Sequence, residues 1–463
     1  MKVVLINPYE IGRQPFGLAE PAALLQDAGC VVDCLDLSIQ MLEADVVSGA
    51  DLVGIYVAMH TASRIAVEAL PRIRVMAPKA HLCVYGLYAP MNESLFRELG
   101  VGTVLGGEFE GGLLSVVRRI RAGEEGGIQT EALIDLSKVA FVVPDRSKLP
   151  ELSEYAHLEM PDNSSRIVGF VEASRGCKHV CRHCPVVPVY EGRFSVIPRE
   201  VILADARNQI SAGAQHLSFG DPDFLNGPIH AIKVVQEIHE EFPHITYDAT
   251  IKIEHLLKHR ELLPILKETG CIFVTSAVES VDDRILELLD KNHTNSDFGE
   301  AVRLLQEVGI DLSPTFLPFT PWTTLAGYVA LLERLVDLNL ANNISPIQLV
   351  IRLLVPAGSY LFKLPGFDDI VMPFDADRLG YPWVHEDPCV DQLQETLEAF
   401  VAEADQNDLA RRETFAEIWA LAHKALGAKA RPLSADFMGP AVPQMSEPWY
   451  CCAEPTNRQL NDF

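Results

Sequence analysis

Three closely spaced cysteines are the residues of this chain with the clearest chemistry. Cys177, Cys181 and Cys184 lie in Ala-Ser-Arg-Gly-Cys-Lys-His-Val-Cys-Arg-His-Cys-Pro (173–185), with the spacing Cys-x3-Cys-x2-Cys. Thiolates are the usual ligands of iron–sulfur clusters, and three of them can hold three irons of a cubane and leave the fourth open to a substrate. The spacing therefore predicts an iron–sulfur cluster on a single loop.

A structural zinc site is the alternative for the same cysteines. Zinc in structural sites normally has four ligands, and the loop offers three thiols. His179 or His183, which lie between the cysteines, could supply an imidazole as the fourth ligand. The sequence favours iron, and zinc stays open as the second interpretation.

An adjacent cysteine pair lies near the end of the chain. Cys451 and Cys452 belong to Ser-Glu-Pro-Trp-Tyr-Cys-Cys-Ala-Glu-Pro-Thr (446–456). Neighbouring cysteines form a disulfide only with strain, so we expect two thiols. Such thiols suit a soft metal or metalloid, a redox pair or a nucleophile. The alternative is a terminal segment whose cysteines are incidental.

The elements that must position these residues begin with an α/β domain over residues 1–125. Short apolar segments alternate there with helical patterns, which is typical of a doubly wound parallel sheet. Such sheets bind ligands at the carboxyl ends of their strands. The predicted strands are 2–6, 31–36, 52–56, 81–85 and 103–105, and helical patterns cover 21–28 and 62–76.

A second strand–helix alternation follows a linker over residues 126–163. We predict a partial or complete parallel βα barrel over 164–356, with its active site at the carboxyl ends of the strands. An α-rich region and the cysteine-bearing tail make up 357–463, with helices over 390–405 and 411–426. The six predicted barrel strands are 167–173, 216–219, 245–251, 272–278, 311–316 and 347–353.

Composition narrows the class of protein. Of 463 residues, 48% are hydrophobic and 22% charged, as in a folded protein. The formal net charge of −26 argues against a nucleic-acid partner, because nucleic acids are bound through basic patches.

Apolar runs are far shorter than the roughly 20 residues that span a bilayer, so we expect no membrane partner and a cytoplasmic location. Ten cysteines are then better explained as metal or redox ligands than as disulfides.

The three-cysteine loop resembles that of the radical S-adenosylmethionine (SAM) superfamily. The resemblance implies a 4Fe–4S cluster that binds SAM, on a loop after the first strand of a βα barrel. His183 stands where the family usually has an aromatic residue packing near the adenine, and a histidine ring can still stack. The resemblance places further SAM contacts at two strand ends: Gly220, Asp221 and Asp223 after the second strand, and Glu279 after the fourth.

Three charged residues near strand ends, Lys252, Glu254 and Arg352, are additional candidates for the cofactor cavity. Surface salt bridges are the alternative for all three. The same holds for Asp223 and Glu279 taken alone, since acids at strand ends are often helix caps or solvated side chains. The cluster motif upstream is what favours a role in cofactor binding.

The domain order resembles that of the cobalamin-binding class of radical SAM enzymes. Segments 15–19 and 106–110 resemble recurrent stretches of the cobalamin-binding domain. The chain has no Asp-x-His-x-x-Gly stretch, and the segment 84–88 is bulkier than the Gly-Gly usual there. His60 is a conceivable ligand, although a lone histidine is more often structural. Cobalamin is therefore left open as a further cofactor.

The tail resembles a radical SAM subfamily that ends in Cys-Cys-Ala-Glu-Pro, or in its selenocysteine version. That subfamily is similar to the radical SAM enzyme of arsinothricin biosynthesis, which moves the 3-amino-3-carboxypropyl group of SAM onto trivalent arsenic. The resemblance implies that Cys451 and Cys452, joined by Cys389, hold a small metalloid substrate at the barrel mouth. It also implies an electron donor such as flavodoxin or ferredoxin. A cobalamin-dependent methyltransferase and a non-catalytic metal-binding protein are the rival predictions.

Overall fold

The computed structural model describes residues 1–123, 129–447 and 460. Its first part is a sheet whose strands alternate with helices. The strands are β1 (Lys2–Asn7), β2 (Val31–Asp36), β3 (Leu52–Tyr56), β4 (His81–Tyr85), β5 (Thr103–Gly107) and β6 (Ile134–Asp135). The helices are α1 (Phe16–Asp27), α2 (Ala44–Val47), α3 (His60–Met76), α4 (Glu93–Glu98) and α5 (Glu110–Arg121).

Within the described residues this sheet has the strand order β2-β1-β3-β4-β5-β6, with every pair parallel. Helices α1 and α5 cover one face, and α3 and α4 cover the other. Because both faces are covered, β3 is buried along its whole length. The predicted doubly wound sheet is confirmed, and the order reverses between β1 and β3, where such folds bind ligands.

The second part contains a curved, open sheet. Its strands and the small hairpin at its mouth are β7 (His157–Glu159), β8 (Ser165–Val171), β9 (Ser174–Gly176), β10 (Phe194–Val196), β11 (His216–Phe219), β12 (Thr246–Thr250), β13 (Cys271–Glu279), β14 (Asp311–Phe316) and β15 (Gln444–Met445). The helices are α6 (Val187–Tyr190), α7 (Arg199–Ser211), α8 (Pro228–Glu241), α9 (Ile253–Lys258), α10 (Leu263–Glu268), α11 (Asp283–Leu288), α12 (Asn295–Val308) and α13 (Leu325–Asp337).

The strand order of this sheet is β14-β13-β12-β11-β8-β7-β15 among the described residues. Strands β8, β11, β12, β13 and β14 are parallel, whereas β7 and β15 add antiparallel pairs at one edge. The fold is thus a curled half-barrel, the partial form of the predicted barrel.

The sixth predicted barrel strand, 347–353, is wrong. A 3-10 helix, Pro346–Leu349, occupies its first half, and a lone parallel bridge between Phe319 and Arg352 replaces strand pairing in the second. Leu349, Val350 and Ile351 of this segment are buried, which accounts for its apolar sequence. An apolar run of this length does not by itself distinguish a strand from another buried segment.

The region after the half-barrel is helical, as predicted. It contains α14 (Pro388–Gln406) and α15 (Arg411–Leu426), which pack against α13 and the half-barrel core. Asp387 caps α14 by accepting a hydrogen bond from the Cys389 N–H at 3.0 Å. No helix of the described residues is both long enough and apolar enough to cross a membrane.

Candidate active site

The cysteine loop begins at a tight glycine turn. Strand β9, which ends at Gly176, pairs with β10 in an antiparallel hairpin. Gly176 has φ +75°, and a Cβ added there would lie 2.5 Å from the Arg193 carbonyl oxygen. Only glycine fits this turn without strain. The turn brings Cys177 out of the hairpin and into the mouth of the half-barrel.

Two of the three cysteines, Cys177 and Cys184, lie in an apolar cluster with Val189 and Tyr190. Cys177 and Cys181 are buried and Cys184 is half-buried. Burial raises the pKa of the Cys177 thiol to about 11. Burial and the neighbouring Cys181 and Cys177 also raise the pKa of Cys184. The Cys177 and Cys184 thiols are therefore neutral on their own and need a bound cation to ionise, as metal ligands do.

The spacing of the sulfur atoms fits a cluster better than zinc. Within the described residues, one group of three His, Cys, Asp or Glu ligands brings its donor atoms within 4.8 Å of one another, and it contains none of these cysteines. Sulfur ligands of one tetrahedral zinc would be separated by roughly 3.8 Å. The Lys252 ammonium lies 3.5 Å from Cys181 Sγ, where it offsets negative charge. These residues fit a 4Fe–4S cubane held by three thiolates.

A cavity of about 330 Å³ lies beside the loop, between the two parallel sheets. Met59, Leu87 and Tyr88 from the first domain form one wall. Five of the residues predicted from sequence to contact the cluster or SAM line the opposite wall, namely His183, Cys184, Gly220, Asp221 and Glu279. The carboxyl ends of both sheets therefore face one space, which is where folds of each kind place ligands.

Glu279 is held in an unusual conformation at the end of β13. Its backbone is left-handed (φ +68°), and the register between β13 and β14 shifts beside it. Glu279 Oε1 lies 3.0 Å from His183 Nε2 and 3.1 Å from Lys291 Nζ. Burial would raise the pKa of Glu279, but Lys291 and His183 lower it to about 2. Glu279 thus presents an ionised carboxylate to the cavity.

Asp221 supports the start of the cysteine loop. Its carboxylate accepts hydrogen bonds from the Ala173 N–H at 3.0 Å and from the Ser174 hydroxyl. Burial raises the pKa of Asp221 to about 7, although these hydrogen bonds oppose the rise. Asp221 lines the cavity, and its oxygens are already engaged with the loop backbone.

Three other predicted cofactor residues lie outside the cavity lining. Asp223 contacts two histidines, His179 and His255, and their combined effect lowers its pKa to about 2 although burial opposes this. Lys252 lies beside Cys181, as described above. Arg352 donates to Asp391 and to the Trp383 carbonyl at 2.7 and 2.6 Å and stacks on the Trp383 ring. Arg352 therefore has the geometry of the alternative prediction, a salt bridge.

The tail cysteines predicted to act in catalysis, Cys451 and Cys452, lie outside the described residues. Cys389, predicted to join them, is exposed at the first turn of α14. Its role in substrate binding stays a prediction.

Sequence reasoning missed a buried arginine that connects the first domain to the half-barrel. Arg175 contacts Glu108 at 3.3 Å, Glu110, and Glu172 at 3.1 Å. Its guanidinium also lies about 5 Å from the rings of Phe109 and Phe141. Acids in the stretch Gly-Gly-Glu-Phe-Glu (106–110), next to a strand end, were the available signal. Their partner was not evident because it comes from the other domain.

A family comparison covers this half-barrel. Residues 171–331 match the radical SAM superfamily. This segment belongs to the radical SAM superfamily. The match begins at the last residue of β8 and includes the cysteine loop, the Gly220 and Glu279 strand ends and Lys291. The predicted 4Fe–4S cluster and SAM are the cofactors of this superfamily, so the cofactor prediction is confirmed at that level.

Curated relatives match over the same region at low identity. The chain is 22% identical over 195 residues to the ribosomal protein uS12 methylthiotransferase RimO of Geobacter sulfurreducens, covering 37% of this chain and 42% of that protein. It is 21% identical over 180 residues to the hopanoid C-2 methylase of Rhodopseudomonas palustris, covering 38% and 34%. The chain thus spans less than half the length of these relatives.

Solved structures share the fold over most of the chain. The radical SAM methyltransferase TsrM from Kitasatospora setae, with cobalamin and a [4Fe-4S] cluster bound, has a TM-score of 0.58 at 17% identity, covering 73% of this chain and 70% of that one. The cobalamin-dependent SAM radical enzyme OxsB, with aqua-cobalamin bound, has a TM-score of 0.68 at 14% identity, covering 87% and 67%. Both domains therefore have the architecture of cobalamin-dependent radical SAM enzymes.

Proposed function

We propose that this chain is a radical SAM transferase that moves the 3-amino-3-carboxypropyl group of SAM onto trivalent arsenic. The observation that carries the proposal is the position of Cys177, Cys181 and Cys184 at the mouth of the half-barrel, beside a cavity that the Glu279 carboxylate faces. When bound, the reduced cluster supplies the electron that cleaves a carbon–sulfur bond of SAM. The residues around it bind and orient SAM and keep water out.

The ionised Glu279 is the residue best placed to orient SAM. SAM carries an ammonium and ribose hydroxyls, and a buried carboxylate binds such donors strongly. The His183 ring, 3.0 Å from Glu279, borders the same cavity and offers a face for stacking. Asp221 acts through the loop backbone that it holds.

The overall reaction balances without an external oxidant. A carbon–sulfur bond of SAM breaks, a carbon–arsenic bond forms, and methylthioadenosine leaves. Arsenous acid is oxidised to a pentavalent arsonic acid, the sulfonium is reduced to a thioether, and one proton is released. The electron taken from the donor is recovered, so flavodoxin or ferredoxin is needed to initiate turnover.

The tail motif supports arsenic as the substrate. Cys451 and Cys452 are adjacent soft donors, which suit trivalent arsenic better than a hard cation. The cavity size is consistent with this choice, because about 330 Å³ is near the lower end of the range for small-molecule sites. It suits SAM and a small metalloid acid.

A cobalamin-dependent methyltransferase is the second candidate. The likeness to OxsB over 87% of this chain favours it. Leu87 and Tyr88 line the cavity wall on the side of the first domain, and Tyr88 is buried. Cobalamin, which is several times larger than SAM, would require these side chains to move. The residues therefore fit cobalamin less well than they fit a cluster with SAM.

One experiment separates the two candidates. The full chain is reconstituted anaerobically with iron and sulfide, reduced, and given SAM with or without arsenite and with or without cobalamin. Aminocarboxypropyl transfer predicts methylthioadenosine and an arsenical product in proportion, independent of cobalamin. S-Adenosylhomocysteine formed only with cobalamin would support the methyltransferase instead. If the protein binds its full complement of iron but does not cleave SAM, both enzyme candidates are excluded. The non-catalytic metal-binding protein is then the remaining prediction.

A further inference from the structure

A buried group of metal-ligand side chains lies outside the cavity. His179, Asp223 and His255 bring one donor atom each within 4.8 Å of one another, the one such group among the described residues. Their side chains are 9%, 0% and 0% exposed. They come from the cysteine loop, the segment after β11, and α9. The proposed reaction does not use them, and Asp223, which the family resemblance predicted to contact SAM, lies outside the cavity lining.

Two distances from His179 Nε2 match those between ligands of one small metal ion. His179 Nε2 lies 3.3 Å from His255 Nε2 and 3.4 Å from Asp223 Oδ2. Zinc binds nitrogen at roughly 2.0–2.1 Å, so two ligands of a tetrahedral zinc are separated by roughly 3.4 Å. Two imidazoles and a carboxylate are a usual set of three ligands for a divalent transition metal.

The hydrogen bonding of the group is incomplete without an ion. Asp223 Oδ2 lies 2.6 Å from His255 Nδ1. Even so, neither oxygen of Asp223 nor this nitrogen has a partner aligned for a hydrogen bond within the described part of the chain. Buried polar atoms rarely stay unsatisfied, because each costs about 1–3 kcal/mol. A cation shared with His179 Nε2 and His255 Nε2 would satisfy the oxygens of Asp223.

A second carboxylate is placed to orient His179. Glu254 Oε2 lies 3.5 Å from His179 Nδ1, on the side of the ring opposite to the Nε2 that faces the group. Histidines that bind metals usually donate their other N–H to a carboxylate, which fixes the tautomer. Lys252 Nζ lies 3.7 Å from the same oxygen of Glu254 and balances its charge.

We propose that His179, Asp223 and His255 bind a divalent transition-metal ion, zinc by the donor set, in addition to the cluster. His179 lies between Cys177 and Cys181, so the ion ties the cysteine loop to α9 and to the strand end after β11. Three protein ligands leave a fourth position for water, and the ion restrains the loop that presents the cluster. This inference is independent of which substrate the enzyme uses.

The test uses the full chain after anaerobic cluster reconstitution, so that the cysteines are already occupied. Zinc sulfate is added, excess is removed with a chelator, and metals are counted by mass spectrometry. We expect about four irons and about one zinc per chain. Asp223→Asn and His179→Gln should retain the iron and lose at least nine-tenths of the zinc. Glu254→Gln should weaken zinc binding about 10–100-fold.

His216→Asn provides the matched control, because His216 is also buried and lies 3.0 Å from an aspartate, Asp248. Its two ring nitrogens already have partners, Thr246 and Asp248, so this variant should retain zinc. Cobalt in place of zinc gives a further check of the ligand type, measured as the difference from the iron-loaded protein without cobalt. Tetrahedral d–d bands without sulfur-to-cobalt charge transfer support the site. The proposal is overturned if iron-loaded wild type binds no zinc, or if the cobalt protein shows sulfur-to-cobalt charge-transfer bands.

Discussion

His183 Nε2 lies 3.0 Å from Glu279 Oε1, which joins the residue before the third cysteine of the loop to the end of β13. The two residues are 96 positions apart in the chain, and each was predicted separately to contact the cofactor. Lys291 reaches the same carboxylate oxygen at 3.1 Å. One ionised, oriented acid therefore lies between the cysteine loop and the cavity.

Glu279→Gln should weaken SAM binding while leaving the cluster in place. The amide keeps the shape of the side chain but loses the negative charge that holds a cationic or hydroxyl donor. Hydrogen bonds to charged groups contribute about 1.5–3 kcal/mol, so we expect roughly a 10–100-fold rise in the dissociation constant for SAM. Equilibrium dialysis on iron-loaded protein measures it. Glu287→Gln, at an exposed position on α11, serves as the control. If the wild type and both variants bind SAM with equal affinity, Glu279 does not take part in SAM binding.

Arg175→Met should destabilise the junction between the two domains. The substitution keeps an apolar stem against Phe109 but leaves Glu108, Glu110 and Glu172 without their cation. Removing one partner of a buried ion pair costs about 3–5 kcal/mol. The melting temperature should fall by several degrees, as measured by circular dichroism. Arg303→Met breaks comparable contacts on the exposed face of α12 and should change it little.

Glu20→Gln should change how stability depends on pH. Burial, followed by the charge of Glu110, raises the pKa of Glu20 to about 8, although Arg175 lowers it. The folded protein thus keeps a proton that the unfolded chain releases near the ordinary value of 4.5. Stability must fall as the pH rises from that value towards 8, because the folded state binds more protons.

The glutamine variant has no such proton. Between about pH 6 and about pH 9 the wild-type unfolding midpoint in urea should therefore decrease more than that of the variant. Parallel decreases in the two proteins would mean that Glu20 is ionised in the fold.

Cys451→Ser/Cys452→Ser should separate SAM cleavage from group transfer. If the pair holds arsenic, the double variant retains the cluster and still releases methylthioadenosine, but forms little arsenical product. Cys389→Ser is the matched single-thiol control, because Cys389 is exposed at the start of α14. Mass spectrometry of both products gives the ratio. Full arsenical yield from the double variant would exclude the tail from the chemistry.

Local patterns predicted much of the fold. The bounds of β2, β3, β4, β11, β14 and α15 agree with those read from the sequence, because in these segments apolar periodicity and flanking turn residues coincide. The segment 347–353 shows the limit of this reasoning. Its apolar residues are buried beside the half-barrel, but Pro346 begins a 3-10 helix there instead of a strand.

The sequence predicted those parts of the site that depend on the spacing of residues along the chain. The cysteine loop is local, so its ligands could be identified from sequence. Lys291, His255 and Arg175 gain their roles from contacts across the fold. Arg175, for example, meets Glu108 from 67 residues earlier in the chain, a contact that depends on how the two domains pack. No spacing rule predicts such pairs.

Analysis of the nucleoside products shows whether Cys177, Cys181 and Cys184 hold a cluster that cleaves SAM. Wild type and Cys184→Ala are reconstituted anaerobically, reduced with dithionite and incubated with SAM, and the nucleoside products are separated by chromatography. We expect reductive cleavage by the wild type, with methylthioadenosine as the main nucleoside when arsenite is present. The variant should lose at least nine-tenths of that product. SAM cleaved equally by both proteins, or left intact by fully iron-loaded wild type, would contradict it.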